Sequence, residues 1–306
     1  MSGPVTQPRI TVVGGANTDI IGLPEGRFAL RDSSPGHVRV SPGGVGRNIA
    51  ENLARLGAEV RLVTSFGSDA EARALDHECR RAGIDTSHSI VAEDSPGSRY
   101  LAILDATGDL AAAVSDMRAL EALTPDALDP AAFIDAAVVV LDANLRASTI
   151  ARAAELAGLA LLVLDPVSTA KAPRARPVLG RLAALKANLR EAEELSGAAG
   201  PEGAAGRLLE SGVARVFVTM GPDGVWCADR DQAFALGAQD ADVVNVTGAG
   251  DAFTAGVAWG LATGRGLRET AEAASALSAI ALESERTVSE CVSESALADR
   301  VRESVR

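Results

Sequence analysis

Short apolar runs alternate with segments of helical spacing along most of the chain. The run 138–141 is apolar without interruption, as expected for a parallel strand that is buried on both faces. The predicted strands include Ile10–Val13, Val60–Thr64, Val138–Leu141, Leu161–Leu164, Leu182–Lys186 and Val216–Met220. Helical patterns such as Ala70–Arg81 and Ala271–Leu282, the latter expected to be the final helix, lie between or after them. This alternation predicts an α/β fold with a doubly wound, mostly parallel sheet flanked by helices.

Two stretches depart from the alternation. The first, near residues 18–42, contains three prolines and favours short strands and loops. The second, near 95–115, pairs Ser98–Leu104 with Leu110–Val114 across a glycine-containing loop, which predicts a β-hairpin. No repeat or low-complexity linker interrupts the chain, so we expect a single domain over residues 1–306.

Composition excludes several classes of function. The net charge of −12 argues against nucleic acid or an anionic membrane as a partner. Cys79, Cys227 and Cys291 are far apart and form no C-x-x-C pair, so neither a disulfide framework nor a zinc site is expected. The N-terminal residues 1–9 are polar, and no apolar run approaches the roughly 20 residues of a membrane span. We therefore expect a cytoplasmic protein.

The stretch from Val243 to Gly256 has the strongest chemical pattern. Val243–Val246 is apolar and is predicted to end a strand, and Gly248 and Gly250 then form a turn before a helix that stops near Gly264. The free N–H groups at a helix start bind anions, and glycines let a phosphate approach them. Asp251 would repel that phosphate, so it either caps the helix or accepts a proton from a hydroxyl that attacks the phosphate. These residues alone support both interpretations.

Three other pairs of residues stand where strands end or helices begin. They are Asn17 and Asp19, Gly43 and Gly44, and Asn188 and Glu191. The first pair could bond to local backbone in a turn, or it could hold a ligand. The glycine pair could allow a ligand to reach backbone N–H groups. Asn188 and Glu191 also fit the common preference for Glu in the first turn of a helix. Arg47, beside the second pair, is expected to be a solvated helix residue.

Taken in order, these stretches resemble the motifs of the ribokinase-like (PfkB) family of sugar and nucleoside kinases. The similarity covers nearly the whole chain: the strand–Gly–Asn–x–Asp opening, Gly-Gly-x-Gly-x-Asn from Gly43 to Asn48, Asn-x-x-Glu from Asn188, and Gly-Ala-Gly-Asp from Gly248. The resemblance implies a ribokinase-like fold in which the segments near 18–42 and 95–115 form a small β-strand lid over the sugar. A P-loop and the protein-kinase motifs are absent from the sequence.

The resemblance also implies roles for individual residues in an ATP-dependent phosphorylation of an alcohol. The catalytic set is Asp251 as general base, with Gly248, Ala249 and Gly250 as anion hole. The substrate-binding set is Asn17, Asp19, Gly43, Gly44, Asn48 and Tyr100. The nucleotide-binding set is Asn188, Thr219, Gly221, Thr247, Gly248, Gly250 and Ser275. Magnesium would be positioned by Glu191 through water, together with the phosphates of ATP.

Asn245 stands where ribokinases usually carry an Asp that helps bind a monovalent cation. An amide lowers the negative charge at that position, so the resemblance leaves a potassium ion there open.

Within the family, several stretches are similar to the members that phosphorylate pseudouridine rather than to ribokinases or fructokinases. They are Ser41–Leu56, Tyr100–Asp105, Ser115–Met117, Asp165–Ser168 and Val244–Asp251. We therefore expect a nucleoside substrate phosphorylated on the ribose 5′-hydroxyl, and a homodimer. Two alternatives stay open: another nucleoside or sugar kinase of this fold, such as a ribokinase or an inosine or adenosine kinase, and a non-catalytic nucleoside- or sugar-binding regulator. The intact Asp251 argues against the regulator, because binding alone needs no base.

Overall fold

The computed structural model describes residues 7–26, 31–105 and 110–304. Three parts of the sequence predictions therefore lie outside the described residues: the turn 106–109 of the hairpin, residues 27–30 of the first lid segment, and residues 1–6 of the polar N-terminal stretch.

The elements follow the predicted alternation closely. The strands are β1 (Arg9–Val13), β2 (Asn17–Pro24), β3 (Gly36–Gly43), β4 (Glu59–Val63), β5 (Ser65–Gly67), β6 (Ile84–Asp85), β7 (Ile90–Ala92), β8 (Arg99–Leu104), β9 (Leu110–Asp116), β10 (Val138–Asp142), β11 (Leu161–Asp165), β12 (Leu182–Asn188), β13 (Arg215–Thr219), β14 (Val225–Asp229) and β15 (Ala233–Leu236). The α-helices are α1 (Val45–Arg55), α2 (Ala70–Arg81), α3 (Ala147–Leu156), α4 (Leu189–Ser196), α5 (Pro201–Glu210), α6 (Ala249–Ala262), α7 (Leu267–Leu282) and α8 (Glu294–Ser304).

A nine-stranded sheet forms the centre of the fold, in the order β15-β14-β13-β12-β11-β10-β1-β4-β6. Neighbouring strands from β6 to β13 pair in parallel, and β14 and β15 add antiparallel strands at one edge. One apolar core packs this sheet against α1, α2, α6 and α7, and a second packs the opposite face against α3, α4 and α5. The predicted doubly wound, mostly parallel sheet is confirmed. Its parallel strands end at one edge, which is where sheets of this type bind ligands.

Four further strands form the lid, a separate sheet in the order β3-β2-β8-β9. Register fixes its two faces, because side chains alternate along each strand. One cross-strand row consists of Val40, Ile20, Leu101 and Val114, and the next row consists of Ser41, Asp19, Tyr100 and Ser115. The first row belongs to an exposed apolar face, which we call the outer face of the lid; Val40 is 61% exposed and Val114 is 63% exposed. The second row belongs to the polar inner face.

Helices α6 and α7 pack unusually closely, through small residues. A Cβ added to Gly256 would lie 2.5 Å from the Cα atom of Ala274, and one added to Gly260 would lie 2.7 Å from the hydroxyl of Thr270. No side chain larger than hydrogen fits at these two positions without a shift of the backbone. This contact fixes α6, the helix that begins at the Gly-Ala-Gly-Asp stretch.

Two sequence predictions are wrong. Val243–Val246 is not a strand end: the backbone N–H groups of Val244 and Asn245 both donate to the carbonyl of Leu282, at 2.8 and 3.2 Å, so the segment is tied to the end of α7 rather than to a sheet. Its valines are more than half exposed. Helix α7 is also not the last helix, because α8 follows it and buries Leu297 against the core.

In the part of the chain that the structure describes, no helix combines the length and the apolar character that a membrane span requires.

Candidate active site

Helix α6 begins at an uncapped turn. Gly248 is in the left-handed region at φ 88°, and a Cβ there would overlap the carbonyl of Thr287. No side chain caps the helix, and the first intrahelical bond runs from Ala252 N to Gly248 O. The N–H groups of residues 249–251 therefore lack intrahelical partners. Such a helix start suits an anion, and the anion-binding role of this turn stays a prediction.

Asp251 does not cap its own helix. It lies in the first turn of α6, and its Oδ2 atom accepts a hydrogen bond from Nδ2 of Asn48 at 2.7 Å. The capping interpretation is therefore wrong. The carboxylate instead faces the start of α1, beside free N–H groups, which is where a hydroxyl approaching a phosphate would need a base.

Arg47 sets the orientation of the Asn48 amide. Its Nη1 atom donates to Oδ1 of Asn48 at 3.0 Å, which leaves the amide nitrogen to donate to Asp251. Arg47 also forms an ion pair with Glu51, which in turn binds Arg55 at 2.8 Å. Arg47 is only 6% exposed, so the expectation of a solvated residue is wrong. An alternating Arg–x–x–x–Glu–x–x–x–Arg spacing on one helix face is the signal that could have indicated this network.

Asn17, Asp19 and the glycine pair lie together where β1, β2 and α1 meet. Nδ2 of Asn17 donates to Oδ1 of Asp19 at 2.6 Å, and a Cβ on Gly43 would overlap the Asp19 carboxylate. A Cβ on Gly44 would lie 2.5 Å from the carbonyl oxygen of Gly15. The glycines thus allow α1 to approach the polar residues after β1. Burial raises the pKa of Asp19, against the opposing effect of Asn17.

A buried charged cluster that we did not assign from sequence lies beneath the α6 turn. Lys186 Nζ binds Asp165 Oδ2 at 3.2 Å, and the Thr254 hydroxyl donates to the same oxygen at 2.6 Å. A Cβ on Gly250 would come within 3.0 Å of Lys186 Nζ, so the ammonium lies directly under the uncapped turn. Burial works to lower the pKa of Lys186, but Asp165, Glu191 and Asp251 raise it on balance. The lysine within the otherwise apolar strand Leu182–Asn188 is the sequence feature that could have indicated this buried cluster.

The surroundings of Asp251 keep its carboxyl group protonated to unusually high pH. The residue retains partial contact with solvent, but protein atoms surround the carboxyl group, and this burial together with Asp165 raises the pKa of Asp251 to about 7. The hydrogen bond from Asn48 and the charge of Lys186 oppose the rise without cancelling it. A base with a pKa near neutrality suits proton transfer at physiological pH.

Asn188 and Glu191 form a capping box at the start of α4. Glu191 N donates to Asn188 Oδ1 at 3.0 Å, and Asn188 N donates to Glu191 Oε2 at 2.9 Å. Glu191 is nonetheless 3% exposed, and burial followed by the charge of Asp165 raises its pKa. The pair therefore has a structural role, while its position beside Asp165 and Lys186 keeps it close to the charged cluster.

The other predicted nucleotide residues lie along the same edge of the sheet. Thr219 pairs with Asn188 at the ends of β13 and β12, and Gly221 follows in the next turn. Thr247 precedes the α6 turn, and Ser275 is buried in α7, one helical turn before a serine whose hydroxyl binds the carbonyl of Ala249 at 3.0 Å.

Both ends of the Asn245 amide have partners, one in the segment after α7 and one in its own loop. Nδ2 donates to the carbonyl of Glu285 at 3.2 Å, and Oδ1 accepts from Thr247 N at 2.9 Å. Across the described residues 7–26, 31–105 and 110–304, no group of three or more His, Cys, Asp or Glu side chains is arranged to hold a metal ion directly.

The structure thus joins Asn17, Asp19 and Gly43 in one group, and Asn48 and Asp251 in another, with Arg47 beside both. A protein-family model described as pfkB family carbohydrate kinase matches residues 7–294. The chain belongs to the pfkB family of carbohydrate kinases. As a pfkB kinase, it is an ATP-dependent phosphotransferase.

Individual pfkB relatives match nearly the full length. The chain is 35% identical to the pseudouridine kinase of Escherichia coli (strain K12) over 286 residues, which is 91% of each chain. A carbohydrate kinase from Agrobacterium tumefaciens has a solved structure that matches with a TM-score of 0.86 at 30% identity, covering 97% of both chains. The ribokinase of Arabidopsis thaliana, solved with ribose and ATP, matches with a TM-score of 0.85 at 20% identity, over 97% of this chain and 99% of that one. The fold is ribokinase-like.

Replacing Asp251 should reveal its raised pKa through stability. The pKa of Asp251 is about 7 in the folded protein, against an ordinary value of 3.8. Ionising Asp251 therefore lowers the free energy of unfolding progressively as the pH rises from about 4 to 7, and the whole loss is present above pH 7. Asp251→Asn removes this cost, so the variant should gain stability over the wild type across that range, by at most about 4 kcal/mol at pH 8. Chemical denaturation at several pH values measures the difference.

Asp116→Asn is the control, because Arg118 lowers the pKa of this exposed carboxyl to about 2. Its effect on stability should not change between pH 5 and 8. A difference between Asp251→Asn and wild type that is independent of pH would contradict the assignment.

Proposed function

We propose that this pfkB kinase transfers the γ-phosphoryl group of ATP to the ribose 5′-hydroxyl of pseudouridine. The observation that carries the proposal is Asp251, held by Asn48 beside the free N–H groups of α6. The full-length similarity to the Escherichia coli pseudouridine kinase supports the choice of substrate. Asn17, Asp19, Gly43, Gly44, Asn48 and Tyr100 are the proposed contacts to the nucleoside.

In the proposed reaction, Asp251 accepts the proton of the 5′-hydroxyl while the hydroxyl oxygen attacks the γ-phosphorus and the bond to ADP breaks. The N–H groups of Ala249, Gly250 and Asp251 point at the transferring group and stabilise its charge. Lys186 adds a fixed positive charge under the same turn. The inner face of the lid excludes water from the hydroxyl.

The charge balance fits a magnesium ion brought with ATP. Asp142, Asp165, Glu191 and Asp251 are coupled carboxyl groups, against the single buried ammonium of Lys186. Oxygen ligands and water suit magnesium, which would neutralise phosphate charge when bound. We propose that Glu191 positions it through water, and that Asn188, Thr219, Gly221, Thr247 and Ser275 lie along the nucleotide. Because Glu285 and Thr247 already occupy both ends of the Asn245 amide, potassium is not part of the proposal.

The outer face of the lid supports a homodimer. Its valines and Leu101 form an exposed apolar sheet face on one side of a molecule whose net charge is −12. A second copy presents the same apolar face, so pairing about a two-fold axis would bury both faces. We also propose the cytoplasm as the compartment, on the cysteine pattern described above.

Asp251→Asn should lower kcat by roughly 100- to 10,000-fold, because a positioned general base typically contributes that much. The KM for ATP should change little, since the N–H groups of α6 remain. Steady-state kinetics with a coupled ADP assay measure both. An unchanged kcat would rule out the role of Asp251 as the base.

The substrate proposal predicts that pseudouridine has the highest kcat/KM in a panel with uridine, inosine, adenosine and free ribose. Pseudouridine has a free N1–H donor, whereas the same nitrogen of uridine carries the sugar. An acceptor built for that donor would be left unpaired by uridine, which lowers kcat/KM by roughly 5- to 150-fold. If uridine or ribose is used equally well, the substrate assignment fails while the kinase assignment stands.

Leu101→Glu should convert the homodimer into a monomer, because it places a charge in the centre of the outer face of the lid. Light scattering after size exclusion gives the mass of each variant. Leu159→Glu is the matched control, since Leu159 is fully exposed far from the lid in sequence and should leave the mass unchanged. A monomeric wild type would contradict the proposed dimer.

A further inference from the structure

A cavity of about 570 Å³ lies between the lid and the loops that follow β10 and β11. Its lining includes Ser115 and Met117 from the lid side, and Asn144, Lys171 and Arg174 from the loops. The reaction proposed above assigns no role to these residues.

The cavity adjoins the proposed sugar contacts. Gly15 separates Asn144 from α1: a Cβ on Gly15 would lie 3.2 Å from Nδ2 of Asn144, and the Gly15 carbonyl faces Gly44 on the other side. Ser115 belongs to the same inner-face row of the lid as Tyr100 and Asp19. A nucleoside whose ribose contacts Asp19 would therefore extend its base toward this cavity.

Lys171 differs from the other cations of the cavity. Arg118 and Arg146 form ion pairs with Asp116 and Glu121, at 2.6 and 2.8 Å. Arg174 donates to the three consecutive backbone carbonyls of residues 143–145. Lys171 is half-buried, and its Nζ atom donates to Oδ1 of Asn144 at 2.6 Å.

The chemistry of this pair calls for an acceptor. An ammonium group has three N–H donors, and in the described part of the chain Lys171 forms one hydrogen bond and no ion pair. The Asn144 side chain also hydrogen-bonds Asp142, so the donors left for a ligand are those of Lys171. Asp116 and Glu121 also line the cavity, but Arg118 and Arg146 neutralise them, so the lining offers N–H donors to an acceptor such as a carbonyl oxygen.

We propose that this cavity is the nucleobase subsite, in which Lys171, oriented by Asn144, donates a hydrogen bond to a carbonyl oxygen of a pyrimidine-2,4-dione. The inference rests on the proposed nucleoside kinase function and assigns its base specificity. Free ribose has no group that would reach Lys171, so the contact separates nucleosides from sugars.

The test measures kcat/KM of Lys171→Met for the best nucleoside of the panel and for free ribose, the latter as a substrate or as a competitive inhibitor. We expect a loss of roughly 10- to 100-fold with the nucleoside, a change of less than about threefold with ribose, and an unchanged KM for ATP. Lys171→Arg keeps a donor and should recover part of the loss. Arg152→Met is the matched control, because it removes one positive charge from α3, outside the cavity lining, and should behave as wild type.

The outcomes separate the two proposals. A wild type that prefers free ribose would defeat the proposed function before any variant is measured. If the wild type prefers a nucleoside, the subsite is overturned by a loss below threefold in Lys171→Met, by an equal loss with ribose, or by the same loss in Arg152→Met. If Lys171→Met does not fold, Lys171→Gln and Lys171→Arg give the same comparison.

Discussion

The hydrogen bond between Asn48 and Asp251 joins the starts of the two helices that form the site. The residues are 203 positions apart, so their contact depends on the packing of α1 and α6 on the same face of the central sheet. Arg47 then decides which end of the amide faces the carboxylate. A small change in either helix would separate these atoms, and the close contact of Gly256 with α7 holds one helix in place.

The same neighbourhood concentrates negative charge at a cost to the folded state. Asp142, Asp165 and Asp251 are mutually repulsive, and burial adds to the penalty of ionising Asp251. Lys186 offsets part of this charge from beneath, in contact with Asp165. Buried groups arranged in this way are poorly suited to stability and well suited to proton transfer, which is why strongly shifted carboxyl groups cluster at catalytic sites.

Much of the architecture could be predicted because burial on both faces of a sheet imposes continuous apolar runs, and helices require their own spacing. The turn at Gly248 could be predicted because a helix start that is open to a ligand needs glycine, whereas the proposed role of Asp251 came from the family resemblance. The burial of Arg47 and the contact of Lys186 with Asp165 were missed because both depend on long-range packing, although the Arg47–Glu51 pair is local in sequence. Val243–Val246 was assigned wrongly because apolar character alone cannot tell a strand from a segment bound to the end of a helix.

Strand β2 of the lid carries a polar and an apolar function on adjacent residues. Asp19 belongs to the inner face and Ile20 to the outer face, and Tyr100 and Leu101 repeat the arrangement on β8. Because side chains alternate with a period of two, inserting or deleting a single residue near the start of β2 would exchange the faces of every residue beyond it. Aspartate would then point to the apolar outer face and isoleucine to the polar inner face. Insertions or deletions within this strand must therefore involve an even number of residues, whereas a change of any length between β2 and β3 leaves the faces unaltered.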